Sequence, residues 1–192
     1  MNKEHVLFCI IGRTASGKDR LITKICELSN ATQLISYTTR ERRVDEGDTH
    51  RFVSEEDYQQ MYTSGQIAAY TQIGAARYWC TFEQLYESDY YAIDYLGLQR
   101  LRELNLPNLR LVSVFINTPD DVREYRALHI RKDSQDKFRK RNLDEREQFR
   151  TMLKNADFDY AISNIDFAKA CSCLKHISNL EGVWKNKGGD KE

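Results

Sequence analysis

The sequence predicts an α/β fold: a parallel sheet core with helices on both faces, interrupted by a small inserted subdomain and a helical lid. Three observations predict it. The apolar run Val6-Leu7-Phe8-Cys9-Ile10-Ile11 leads into Gly12-Arg13-Thr14-Ala15-Ser16-Gly17-Lys18-Asp19 and then into a helical pattern, so strand, glycine loop and helix follow in order. From residue 89 onward strand-like and helix-like stretches alternate, the rhythm of parallel crossover units. Two polar stretches, residues 36–88 and 126–150, break that rhythm and read as insertions.

The elements follow in order. The six residues 6–11 are short, uninterrupted and β-branched enough for a strand covered on both faces. Residues 20–28 place Leu21, Ile25 and Leu28 on one helical face. A short apolar run at 33–35 precedes the arginine-rich Ser36-Tyr37-Thr38-Thr39-Arg40-Glu41-Arg42-Arg43, where something other than the central sheet begins. Residues 51–80 hold short strands rich in Tyr, Thr and Ile around a helix at 54–62, with Ser54 as cap and Asp57 as first-turn acid. A helix at 81–86 leads to a strand at 89–94 ending in Asp94, and a helix at 96–104 follows. Residues 109–116 form the clearest strand, and Thr118-Pro119-Asp120 reads as cap and proline opening the next helix. A charged span at 131–150, a strand at 158–164 and a helix at 167–180 close the fold. The apolar-poor tail from Asn186 is expected to be disordered.

A chain of 192 residues suits one domain with room for mobile insertions. With 29 basic and 29 acidic residues the net charge is zero, which argues against broad capture of nucleic acid but not against a small anion held by local arginines. No apolar run reaches the ~20 residues of a membrane span, and no leader pattern precedes the first strand. Five scattered cysteines lack zinc-ligand spacing and read as reduced thiols in a cytoplasmic protein.

The chemistry starts in the glycine loop. Gly12 and Gly17 let the backbone curl until successive N–H groups point at phosphate oxygens; the helix N-terminus adds partial positive charge, and Lys18 reaches the terminal phosphates. Ala15, Ser16, Asp19 and Arg20 complete the cradle. The residue after the lysine, usually a hydroxyl that ligates Mg²⁺, is Asp19, whose carboxylate is a hard ligand able to hold that ion directly or through water. In a parallel sheet, ligands sit at the carboxyl ends of the strands, so the loop, residues 36–43, Asp94 and the charged span should converge there.

These blocks together resemble the guanylate kinase family of nucleoside monophosphate kinases over essentially the whole chain. Beyond the loop, the Ser36-to-Arg43 segment resembles the family's Ser-x-Thr-Thr-Arg-x-x-Arg, Phe52-Val53-Ser54 the start of its insert helix, and Asp94-Tyr95-Leu96-Gly97 its Asp-x-x-Gly. Arg131 to Arg141 resembles the lid, and Asp159, Tyr160 and Asn164 the closing strand. The resemblance implies a core of residues 1–35, 89–125 and 151–185, a monophosphate-binding insert at 36–88 and a lid at 126–150. It implies ATP as donor, Mg²⁺ as cofactor and GMP or dGMP as acceptor. It also implies that Ser36, Arg40, Arg43 and Tyr78 hold the acceptor phosphate, that Arg131 and Arg141 join Lys18 in neutralising the transferring group, and that Asn164 lies near the adenine. Arg123, Arg126, Arg139 and Arg146 read instead as charged helix faces.

The sequence departs from the family where the base is read. Of the glutamate and aspartate that accept hydrogen bonds from guanine, Asp94 matches the second, while Ala69 stands in the place of the first. Cys80 replaces a small hydroxyl residue, Trp79 a glycine and His50 a phosphate-binding tyrosine. One lost charged hydrogen bond is worth about 1.5–3 kcal/mol, or one to two decades of guanine preference. Asp94 has three roles open to it: base acceptor, ligand of a Mg²⁺-bound water, or helix cap. Two readings stand beside the leading one: a kinase of the same fold acting on another acceptor such as ribose 1,5-bisphosphate or another nucleoside monophosphate, and a non-catalytic guanylate kinase-like binding module. The intact Lys18, Arg131 and Arg141 weigh against the last.

Overall fold

The structure, a computed structural model, describes residues 4–42 and 50–186. It is built on two sheets. The first is five-stranded and wholly parallel, in the order β2 (Gln33–Leu34), β7 (Tyr90–Ala92), β1 (His5–Ile11), β8 (Leu109–Asn117), β9 (Tyr160–Ser163). The second is four-stranded, in the order β4 (Arg51–Phe52), β3 (Tyr37–Thr38), β6 (Ala76–Thr81), β5 (Ile67–Ile73), and carries α2 (Glu55–Thr63). The segment at residue 36 therefore does leave the core sheet, as its polar pattern predicts.

The uninterrupted apolar run of β1 has its explanation in burial on both faces. Leu7, Cys9 and Ile11 enter one apolar cluster, with residues of α3 (Phe82–Glu87), α4 (Tyr95–Glu103) and α6 (Gln135–Lys154). Phe8 and Ile10 enter the other, with α1 (Lys18–Leu28) and α7 (Phe167–Leu180). In α1 the buried face is Leu21, Ile22 and Ile25; Leu28, predicted to share it, is the last residue of the helix and is 47% exposed. Phe8 stacks on Tyr90, whose hydroxyl lies 2.6 Å from that of Ser178 in α7.

Helix starts follow the sequence closely with one exception. Ser54 and Asp57 form a reciprocal capping box at α2, as do Thr81 and Gln84 at α3. At α5 (Asp120–Tyr125), Pro119 occupies the cap position and no side chain caps the helix. Thr118, read as the cap, sends its hydroxyl instead to the Ser16 carbonyl, 3.1 Å away in the glycine loop. A π-helical turn, Arg126–Ile130, links α5 to the loop before α6. The expected disorder of the tail does not extend to Asn186, which bridges Ser29 and takes a hydrogen bond from Asn30; residues 187–192 lie outside the described residues.

The two sheets meet at α4, which packs against β5. A Cβ on Gly97 would stand 2.9 Å from Ile93 Cγ1 and 3.2 Å from Thr71 Oγ1. Only glycine allows that approach. Replacing Gly97 with Ala is expected to cost about 1–3 kcal/mol through overpacking, read as a lowered urea midpoint at unchanged slope.

Candidate active site

The glycine loop leaves the carboxyl end of β1 and runs into α1. Ala15 (φ 60°) and Gly17 (φ 87°) are left-handed, which turns the following N–H groups toward the α1 N-terminus. A Cβ on Gly12 would meet Ser16 Oγ at 2.6 Å, and one on Gly17 would meet Asn164 Nδ2 at the same distance. Both glycines are therefore required by close approach.

A loop whose N–H groups face a ligand must have its carbonyls satisfied from behind. The Ser16 carbonyl accepts from three elements: Asn164 Nδ2 at 2.7 Å, Arg126 Nη1 at 3.2 Å and Thr118 Oγ1 at 3.1 Å. The Thr14 carbonyl accepts from Arg123 at 3.2 Å, and the Thr14 N–H donates to Glu145 Oε2 at 2.7 Å. Asn142 Oδ1 joins Arg13 (2.6 Å) to Arg123 (3.0 Å), and Asp120 accepts from both arginines. These contacts correct two readings. Arg123 is 1% exposed and buttresses the loop, and Arg126, which also donates to the Asn164 carbonyl at 2.7 Å, rests on the loop rather than on a solvated helix face. Arg123 keeps the three-residue pairing with Asp120 that its spacing predicts; its contacts to Thr14 and Asn142, and the roles of Asn142 and Glu145, carried no signal because those partners lie more than a hundred residues away or on a separate helix.

Lys18 Nζ stands 3.6 Å from the Asp19 carboxylate. Burial pushes the Asp19 carboxyl upward, but Lys18, His50, its own backbone N–H and Arg131 outweigh that and hold it below the ordinary carboxylate value. The groups that act on Asp19 thus come from the loop, from the residue before β4 and from the segment before α6. On the second-sheet side the Ser36 hydroxyl lies 2.9 Å from His50 Nδ1, and the His50 ring meets Tyr78 edge-on at 5.6 Å. Arg40 lies against the Phe52 ring, with its N–H on Thr38 Oγ1. Arg43 falls outside the described residues.

Other predicted positions stand differently. Arg20 stacks over Phe167 at 4.4 Å. Arg131 pairs with Asp133 on the exposed bend before α6, and Arg141 is half-buried on α6 itself. Asn164 is 1% exposed; its amide nitrogen braces the loop, and its Oδ1 is buried without a partner. Asp94 realises the cap role, its Oδ1 accepting the Gly97 N–H at 2.8 Å. Cys80 is fully buried. Desolvation pushes its thiol up to about 12.

Comparisons with known proteins agree with one another. A sequence profile described as guanylate kinase matches residues 4–180. The guanylate kinase of Wolbachia pipientis is 28% identical, with 97% of this chain and 96% of that protein covered; that of Mannheimia succiniciproducens is 27% identical over 91% and 88%. The fold is that of the crystal structure of guanylate kinase from Anaplasma phagocytophilum, with a TM-score of 0.63 at 22% identity, covering 94% of this chain and 88% of that one.

Two outcomes are expected. Gly17→Ala should lower the affinity for a triphosphate nucleotide at least tenfold in a calorimetric titration, because the new methyl displaces Asn164 from the Ser16 carbonyl. Iodoacetamide at pH 8 should label exposed Cys173 in the folded chain and reach Cys9 and Cys80 only after denaturation, as read by peptide mass spectrometry.

Proposed function

The chain belongs to the guanylate kinase family, and on that premise we propose that it is a Mg²⁺- and ATP-dependent phosphotransferase that carries the γ-phosphate of ATP to GMP or dGMP. One observation carries this reading: the loop at the carboxyl end of β1, with Ala15 and Gly17 left-handed and Asn164 packed against Gly17, delivers Lys18 and Asp19 to the first turn of α1, the arrangement of a phosphate-binding loop in a chain whose relatives are guanylate kinases. The Ser36, His50 and Tyr78 cluster is the reading's site for the acceptor phosphate.

In this reading the loop is a P-loop. The N–H groups at the start of α1, with Gly12, Ala15, Ser16 and Gly17 shaping the backbone, bind the donor phosphates; Lys18 supplies charge at the terminal ones. Asp19 is ionised and offers the hard oxygen that Mg²⁺ takes alongside water and phosphate oxygens, so the residues present fit the ion. When bound, the ion neutralises charge on the transferring phosphate. Asn164, which the resemblance sets near the adenine, fixes the loop wall there through its amide nitrogen on the Ser16 carbonyl. Ser36, Arg40, Arg43, His50 and Tyr78 hold the acceptor monophosphate in line with the donor, Asp94 addresses its base, and Cys80 stands behind the same face.

Phosphoryl transfer asks the protein for position and positive charge more than for covalent chemistry. We assign residues 36–88 as the acceptor subdomain and 126–150 as a lid. Arg131, paired with Asp133 on the bend before α6, can exchange that carboxylate for a phosphate when the lid closes and water is excluded. Arg141 supplies a second guanidinium, while Arg126 keeps the loop's carbonyls satisfied from behind. Five free thiols and the absence, among described residues, of any helix able to cross a membrane agree with a cytoplasmic site of action.

The test is phosphate transfer from Mg·ATP to a panel of acceptors that includes GMP, dGMP, AMP, CMP, UMP and ribose 1,5-bisphosphate. Turnover greatest with GMP or dGMP is expected; Lys18→Ala should reduce it by roughly 10²-fold or more, and Arg131→Ala by about 10²–10³ in kcat. Transfer to another acceptor alone would move the enzyme off guanine. No transfer to any acceptor would sink the kinase reading and favour the binding module.

A further inference from the structure

The stripe that α6 turns to the glycine loop holds Asn142 and Glu145, one turn apart, with Arg141 a turn before Glu145 on the same side. Asn142 Oδ1 meets the Arg13 and Arg123 guanidiniums. Glu145 meets the backbone of the loop itself: its Oε2 accepts the Thr14 N–H at 2.7 Å. That N–H lies between Gly12 and left-handed Ala15, where the chain turns and the Ser16 N–H closes on the Arg13 carbonyl at 3.0 Å. An amide of the phosphate-binding loop is thus occupied by an anion that the chain itself supplies.

The charge of that anion is the part a bracing role does not explain. Asn142, one turn earlier, shows that a neutral oxygen suffices to tie α6 to this region. Glu145 is half-buried and forms no ion pair among the described residues. Arg13 is close enough for the two charges to act on each other, but its guanidinium ends on Asp120 and Asn142. What holds the carboxylate in place is the charge-assisted hydrogen bond from Thr14, which is 3% exposed and so has little water to turn to.

Donor phosphates bring several negative charges to the same loop. One N–H cannot serve two anions, and like charges on neighbouring loop amides repel. The helix that carries Glu145 also carries Arg141, the guanidinium assigned above to the transferring group, so the phosphate that comes nearest Glu145 is the terminal one. We propose that Glu145 is a place-holding anion: without a donor its carboxylate holds the Thr14 amide, and the terminal phosphate of a nucleoside triphosphate takes that amide by displacing it. Glu145 then sets donor affinity, weakening the binding of a triphosphate more than that of a diphosphate. Displacement releases one tie between α6 and the loop and leaves those of Asn142 in place. The proposal rests on the kinase reading above and adds a residue that governs the donor.

The experiment is a calorimetric titration of ATP and of ADP, each with Mg²⁺, into the full chain and its Glu145→Gln, Glu145→Ala and Lys18→Ala variants. Glu145→Gln keeps an acceptor for the Thr14 N–H and removes the charge. It is expected to tighten ATP by roughly fivefold or more and ADP by less than about twofold, with Glu145→Ala moving in the same direction. A carboxylate that only braced the loop would, when replaced, weaken both nucleotides alike. ATP binding that is unchanged or weaker in a Glu145→Gln protein with a cooperative melt overturns the proposal and leaves the kinase reading standing, as does equal tightening of ATP and ADP. Loss of the cooperative melt in both Glu145 variants makes Glu145 a brace and likewise overturns it. A parent chain that binds neither nucleotide, or binds both unchanged in Lys18→Ala, overturns the kinase reading as well.

Discussion

The Ser16 carbonyl is the point on which this active site depends. A backbone that turns its N–H groups toward phosphate turns its carbonyls the other way, into the protein, where water is scarce and each unpaired oxygen costs about 1–3 kcal/mol. Thr118 from the end of β8, Arg126 from the π-helical turn and Asn164 from the end of β9 all donate to that one oxygen. The arrangement exists only because three parallel strands bring their carboxyl ends to one edge. It also explains why Gly17 must lack a side chain: the Asn164 amide occupies the space a methyl would need.

The arginines of the second half divide by what they touch. Arg123 lies beneath the loop, with Asp120, Asn142 and the Thr14 carbonyl around it, and Arg13 shares two of those partners. Here the planar fork serves as a structural strut, each arm ending on a fixed oxygen. Because Asn142 and Glu145 sit on α6, the same contacts tie the middle of that helix to the loop. Arg131 stands before α6 on the exposed bend, paired with a neighbour two residues away.

The second sheet is two-faced in a way that accounts for its odd residues. One face carries Trp79, stacked on Tyr37 at 5.6 Å and met edge-on by Tyr58 at 5.0 Å, and so holds α2 in place. The other carries Ala69, Thr71, Tyr78 and Cys80, of which Ala69 and Cys80 enter the apolar cluster that also holds Leu7, Cys9 and Ile11 of β1. Trp79 thus adds packing on the far side of the strand.

Local pattern was enough for what depends on neighbours in the chain. The period of the apolar residues marked the buried strand and its helix, Ser54 with Asp57 marked the start of α2, and the glycine spacing with Lys18 marked the phosphate loop, because each is decided by backbone geometry over a few residues. Pairings between distant residues were not written locally. Thr118 looked like a cap and became a loop donor; Arg123 and Arg126 looked like solvated faces and became supports; Asp94 had three open roles until the Gly97 N–H took one of its oxygens. A polar side chain has several partners of equal chemical merit. Only the packing of the sheets and helices decides which one lies within three ångströms and which would have to be left behind in water.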